Sequence, residues 1–178
     1  MGCCCGSDSE RQTRVVPLVF KRDELVYDAA NYSFVEGDII KTDDEHARHQ
    51  VFDIAQDGNI NRVTRVLNLA HAECVEMLYP YTKEEIPEEQ AALDDILKAP
   101  EEYPVTLTLP GDFSLTTVRL LCELIHEYLV CRVLADWMSI THPESQANWE
   151  DKVSRVKSRI QTCLMSRRGK VRRKLKPF

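Results

Sequence analysis

The chain has 178 residues, 43% hydrophobic and 29% charged, with a formal net charge of −6; this is the composition of an ordinary soluble chain long enough to bury a core of its own. No apolar run reaches the roughly 20 residues of a membrane span, and the opening MGCCCGSDSERQTR lacks the order of charge, apolar stretch and cleavage site that marks a secretory signal. The charge is divided unevenly, because the final twelve residues, RRGKVRRKLKPF, hold seven cations and no anion, which leaves −13 on residues 1–166.

Residues 1–58 read as an extended N-terminal arm, poor in helical pattern. VVPLVF at 15–20 is a short apolar piece interrupted by Pro17, and the later pieces around Leu25–Tyr27, Ile39–Ile40 and Val51–Ile54 are separated by acidic and turn-forming residues. Cys3, Cys4 and Cys5 sit at a terminus expected to be mobile. Gly2 raises N-myristoylation, but Gly6 stands where that signal wants Ser or Thr. Three adjacent cysteines also lack the spacing of a tetrahedral metal loop.

From residue 59 the pattern sharpens. Ile60, Val63, Leu67, Ala70, Cys74 and Met77 recur every three or four residues and predict a helix over 59–79, stopped by Pro80. Thr82 and Glu85 have capping-box spacing for a short helix to about Lys98. YPVTLTLP at 103–110 changes to period two, a strand that needs part of the arm or another subunit to satisfy its edge. The longest helix is expected over 114–140, where one stripe (Val118, Cys122, Ile125, Leu129, Val133, Trp137, Ile140) is joined by a second (Leu121, Leu124, Tyr128, Cys131, Met138). Two stripes predict a helix that is central to the bundle or shared with a partner. Thr141 or His142 caps the last helix, Pro143 suits its first turn, and Trp149, Val153, Val156, Ile160 and Cys163 face inward over 143–165. The fold class is therefore mainly α: a bundle of three longer helices and one short helix over 59–166, a short β segment, the arm before it, and a basic tail at 167–178.

Little in this pattern supports catalysis. His46 and His49 are spaced to share a metal if their segment is helical, but DDEHARHQ reads more simply as a solvated loop. Cys122 and His126 are four apart on the long helix, where apolar flanks favour a packed thiol beside a hydrogen-bonded imidazole. Cys74, Cys131 and Cys163 also fall in apolar patterns and read as small reduced hydrophobes. The acidic pairs Glu84/Glu85, Glu88/Glu89 and Glu101/Glu102 lie at helix starts and loops where charge is readily solvated. No Gly-rich phosphate loop, dinucleotide fingerprint or nucleophile elbow is present. We expect no enzyme, cofactor or metal. Trp137 and Trp149 read as packing anchors of the last two helices. The tail cations Arg167, Arg168, Lys170, Arg172, Arg173, Lys174 and Lys176, with the terminal Phe178, are the candidate partner-binding residues: they suit phosphates without sequence preference or an acidic protein surface.

The order of features (a helix ending in MLYPY, YPVTLTLPGDFS, HEYLVCRVLADWMSI and THPESQANWEDKVSRVKSRIQTCLMSRR) resembles head-to-tail connector, or neck-ring, proteins of tailed bacteriophages, in particular those of phages infecting gut bacteria, over residues 59–178. The resemblance implies a homo-oligomeric, twelvefold ring at the head-tail junction of the virion, assembled in the host cytoplasm. Its partners would be the portal protein and the tail or a second neck-ring protein, with genomic DNA passing nearby without sequence-specific binding and no membrane involved. Alternatives from the residues alone are a small nucleic-acid-associated protein and a helical protein-interaction module.

Overall fold

VVPLVF and YPVTLTLP, distant in sequence, pair with each other. In the computed structural model, which describes residues 13–40, 45–82 and 97–166, β1 (Thr13–Lys21) and β2 (Glu102–Pro110) form an antiparallel two-stranded sheet from Thr13↔Pro110 to Lys21↔Glu102. The strand at 103–110 thus takes its partner from the arm. Three prolines lie in this ladder, and all occupy one parity. Thr108 N–H donates to the Tyr81 carbonyl (2.8 Å) and His71 Nε2–H to the Pro104 carbonyl (2.7 Å), so the even positions of β2 turn their backbone groups away from β1. Their partners Pro17, Val19 and Thr13 do the same, and Pro17, Pro104 and Pro110 therefore remove no bond between the strands. The inner face carries Leu18, Phe20, Tyr103, Val105, Leu107 and Leu109, all buried, while Val15 and Val19 face outward.

The arm itself differs from expectation. Residues 22–39, read from sequence as extended, form α1 (Arg22–Ile39), and DDEHARHQ, read as a solvated loop, leads into α2 (Glu45–Phe52) and a 3-10 turn at Asp53–Ala55. Asp23 and Glu24 stand in the first turn of α1, where carboxylates complement the helix dipole. Its buried row is Leu25, Ala29, Ser33 and Gly37, spaced by four along one face. Ser33 satisfies its hydroxyl on the Ala30 carbonyl at 3.0 Å. Gly37 gives room to the Phe52 ring, which would collide with any Cβ there. Val51 and Ile54 are completely buried, and Trp137 Nε1–H donates to the Val51 carbonyl at 2.9 Å. Leu18, Phe20, Leu25, Ala29, Val51 and Ile54 of the arm thus share one continuous core with the helical domain.

The three longer helices follow the predicted periodicities. α3 (Ile60–Met77) buries Val63, Thr64, Leu67, Ala70 and Cys74; α4 (Leu115–Thr141) buries both of its predicted stripes over most of their length; α5 (Pro143–Ser166) turns back along α4 after His142 alone. α4 is the hub, meeting α5, α3, α1 and α2. Leu121, Ile125, Leu129, Leu134 and Met138 along it are fully buried, each such side chain contributing about 1.5–3 kcal/mol on leaving water. The Thr82 hydroxyl donates to the Val75 carbonyl at 2.7 Å, closing the turn after α3. The short helix expected beyond it, the Glu84/Glu85 and Glu88/Glu89 pairs, Cys3–Cys5 and the tail 167–178 lie outside the described residues.

Candidate functional site

Polar clusters join the helices among the described residues, one of them the pair Arg62–Asp136 at 2.9 Å between α3 and α4. Between α3 and α4, Glu73 accepts from Arg132 Nε (3.2 Å), Arg132 Nη2 (3.4 Å) and the Tyr128 hydroxyl (3.0 Å), at the edge of an open 550 Å³ groove that also holds Glu76 and Lys157. Burial works against the charge on Glu73, but the bonds from Arg132 and Tyr128 outweigh it and hold the carboxyl below its usual range. Tyr128 moves the other way, raised by burial and by Glu73. Both shifts lock the resting protonation state, whereas a general acid or base needs one poised near neutrality. The groove fastens helices.

His126 Nε2 lies 2.7 Å from Asp28 Oδ2, tying α4 to α1 as the hydrogen-bonded imidazole expected beside Cys122. Burial, with Glu123 next to it, raises the Cys122 thiol, which disfavours the thiolate that a nucleophile or metal ligand requires. Among the described residues no group of three or more His, Cys, Asp or Glu converges as a metal site. His49 meets the Phe52 ring edge-on at 6.0 Å, and the side chain of His46 lies outside the described residues.

A further cluster binds three helices. Lys152 Nζ on α5 pairs with Glu127 on α4 at 2.6 Å and lies 4.4 Å and 4.9 Å from the ring centres of Tyr32, on α1, and Trp149. Such a cation over aromatic faces is worth about 0.5–2 kcal/mol according to how far it is desolvated. Trp149 is buried and meets Tyr32 edge-on at 5.6 Å, so both tryptophans do anchor the last two helices. Cys131, beneath them, is pushed up to about 12 by burial and by Glu127.

Ser145, His142 and Glu36 are also in contact, and these residue types invite a nucleophile reading. The order is wrong for it. Ser145 donates its hydroxyl proton to Glu36 and so accepts from His142 Nδ1–H at 2.7 Å, leaving the imidazole as donor to the serine it would have to deprotonate. The cluster ties the start of α5, where Ser145 N–H also bonds the His142 carbonyl, to α1.

What remains is a surface. Opposite its buried row, α1 presents Tyr27 (67% exposed), Phe34 (60%), Val35 (56%) and Ile39 (69%) to solvent, flanked by exposed Asp23, Glu24 and Asp38. The helix carries five carboxylates against the single cation Arg22. Sequence reasoning passed over this face. The signal was the spacing of Tyr27, Phe34 and Val35 at seven and eight residues, which becomes a stripe only once the segment is taken as helical. The predicted partner residues Arg167, Arg168, Lys170, Arg172, Arg173, Lys174, Lys176 and Phe178 lie outside the described residues. The helix leading to them, α5, exposes Arg155, Lys157 and Arg159, which enter no ion pair among the described residues.

No helix among the described residues is long and apolar enough to cross a membrane. No protein-family model matches the chain, and neither the curated proteins nor the solved structures contain a match to it.

Proposed function

We propose that this chain is a structural head-to-tail adaptor of a tailed bacteriophage, a helical subunit that assembles with copies of itself into a ring between portal and tail. The observation that carries this reading is the two-sided α1, one face in the core and the other exposing Tyr27, Phe34, Val35 and Ile39 to solvent. The polar clusters agree with it, because each holds helices together. The acidic body fits a passage for DNA: a wall carrying most of the −13 on residues 1–166 repels a polyanion and limits adhesion during its transit. Twelve copies, the portal and tail partners and the location in the virion follow from the connector resemblance.

Mass-spectrometric identification in purified virions, followed by imaging of the head-tail junction, tests the proposal; absence of the chain from the particle overturns it. The nucleic-acid reading is favoured by the tail cations and makes a different prediction. It requires salt-dependent DNA binding by the intact chain that disappears when residues 167–178 are removed.

A further inference from the structure

We infer that the acidic, apolar face of α1 receives the C-terminal segment 167–178 of a second copy of this chain, an inference that rests on the self-assembly proposed above. The two surfaces match in chemistry. α1 offers exposed Asp23, Glu24 and Asp38 around Tyr27, Phe34, Val35 and Ile39. The segment offers seven cations interspersed with Val171, Leu175 and Phe178. No carboxylate side chain occurs anywhere after Asp151, so the segment has no acidic neighbour in sequence to neutralise it. Other described surfaces match less well. The outer face of the sheet exposes Val15 and Val19 beside Pro17, Pro104 and two threonines, with little negative charge. In the groove between α3 and α4 Glu73 is already held by Arg132, and the lining sets the cation Lys157 alongside Glu76.

Reach and charge both favour a neighbouring copy over the same chain. Glu36, near the far end of α1 and turned inward beside Val35, bonds Ser145 at the start of α5, and Ser166 closes that helix. At 1.5 Å per residue those two ends of α5 are about 32 Å apart, while twelve residues stretch to about 40 Å at most. To cover the far end of that face, at Phe34, Val35, Asp38 and Ile39, within one chain, the segment would have to return nearly straight along α5, past the exposed Arg155, Lys157 and Arg159. A segment arriving from the next copy meets neither restriction. The contact is heterologous, using different surfaces on the two copies, and so propagates from subunit to subunit and closes into a ring where the rotation permits.

The test uses the full-length protein with Phe178 replaced by p-benzoyl-phenylalanine, mixed from unlabelled and heavy-isotope-labelled preparations, irradiated and mapped by mass spectrometry. Mixed-label crosslinks into residues 23–39 are expected, falling as salt rises. They should be largely lost in Asp38→Lys combined with Val35→Ser, two exposed positions whose substitution leaves the core intact. Asp23→Lys/Asp38→Lys should be rescued by Arg172→Glu/Arg173→Glu/Lys174→Glu in the same mixture. Crosslinks within one label only, crosslinks to another surface, or no crosslink between copies up to the solubility limit would each overturn the inference. The two proposals fail separately: presence in virions with crosslinks elsewhere removes this contact alone, and crosslinks to α1 without presence in virions remove the adaptor reading alone.

Discussion

Trp137→Phe examines whether the arm is truly part of the core. The indole N–H donates to the carbonyl of Val51, a residue with no exposed surface, and Trp137 itself is only 6% exposed. Phenylalanine keeps an aromatic ring in place but orphans that carbonyl in a site closed to water, which costs about 1–3 kcal/mol. The smaller ring leaves unfilled volume, adding about 1 kcal/mol. The expected loss is thus about 2–4 kcal/mol, a large share of the roughly 5–15 kcal/mol that holds a domain folded. In a chain of this length it lowers the melting temperature by about 5–15 °C. Trp149→Phe is the control, since the Trp149 indole N–H has no hydrogen-bond partner among the described residues and its ring contributes contacts with Tyr32 and Lys152, so about 1 kcal/mol is expected. Thermal and urea unfolding followed by far-UV circular dichroism measure both variants, and hydrogen exchange reports the amides of residues 45–55 separately. A Trp137→Phe loss equal to or below that of Trp149→Phe, or unchanged exchange in α2, would refute the docking of the arm through this bond.

Other consequences follow from the same packing. Gly37→Ala gains about 0.8–1 kcal/mol of helix propensity but sets a methyl against the Phe52 ring, so it should be net destabilising in the native chain and stabilising in a Phe52→Ala background; the same sign in both backgrounds would show that the ring does not pack there. Glu73→Gln bears on the α3–α4 clamp. Because the folded state lowers the Glu73 pKa from its ordinary 4.5, its contribution is present above that value and is lost as pH falls through the folded one. The variant should be less stable than the parent at neutral pH and converge with it in acid, as a pH series of urea midpoints would reveal. Cys74, pushed up to about 12 by burial, and Cys131 should resist iodoacetamide in the folded protein while half-buried Cys122 and Cys163 react ahead of those two, as peptide mapping would register.

The helices from residue 60 onward were legible because each has an inward face made of apolar residues. In α3 the row Val63, Leu67, Ala70 and Cys74 needs nothing else to announce a helix. α1 hid for the opposite reason. Its inward row ends in Ser33 and Gly37, while its outward face carries Tyr27, Phe34, Val35 and Ile39, so no single polar-to-apolar period marks it. α2 was equally opaque, since EHARHQVF has few apolar residues and its place depends on Trp137, far along the chain. The joints Asp28–His126 and Glu36–Ser145 also join distant residues, which spacing within a segment cannot reveal. The strand pairing was half legible: period two in YPVTLTLP required a partner, but only the parity of Pro17, Pro104 and Pro110 explains how VVPLVF could be it.

The two-stripe pattern on α4 called for a helix that is either central or shared with another chain, and the fold divides those two roles between two helices. α4 is central, because α3, α5, α1 and the second helix close over both stripes and leave Leu120, Leu115 and Ile140 as its exposed large hydrophobics. α1 has the same doubled apolar character with one covering fewer: its row at Leu25 and Ala29 is closed by the core, and the face at Tyr27 and Phe34 is left open. A chain able to tuck Val51 and Ile54 completely out of water has the means to cover four more side chains. Leaving them outside on a helix rich in carboxylates is consistent with a surface whose partner is another chain, and it sets the chemistry that partner must have: apolar residues carried among cations, as in RRGKVRRKLKPF.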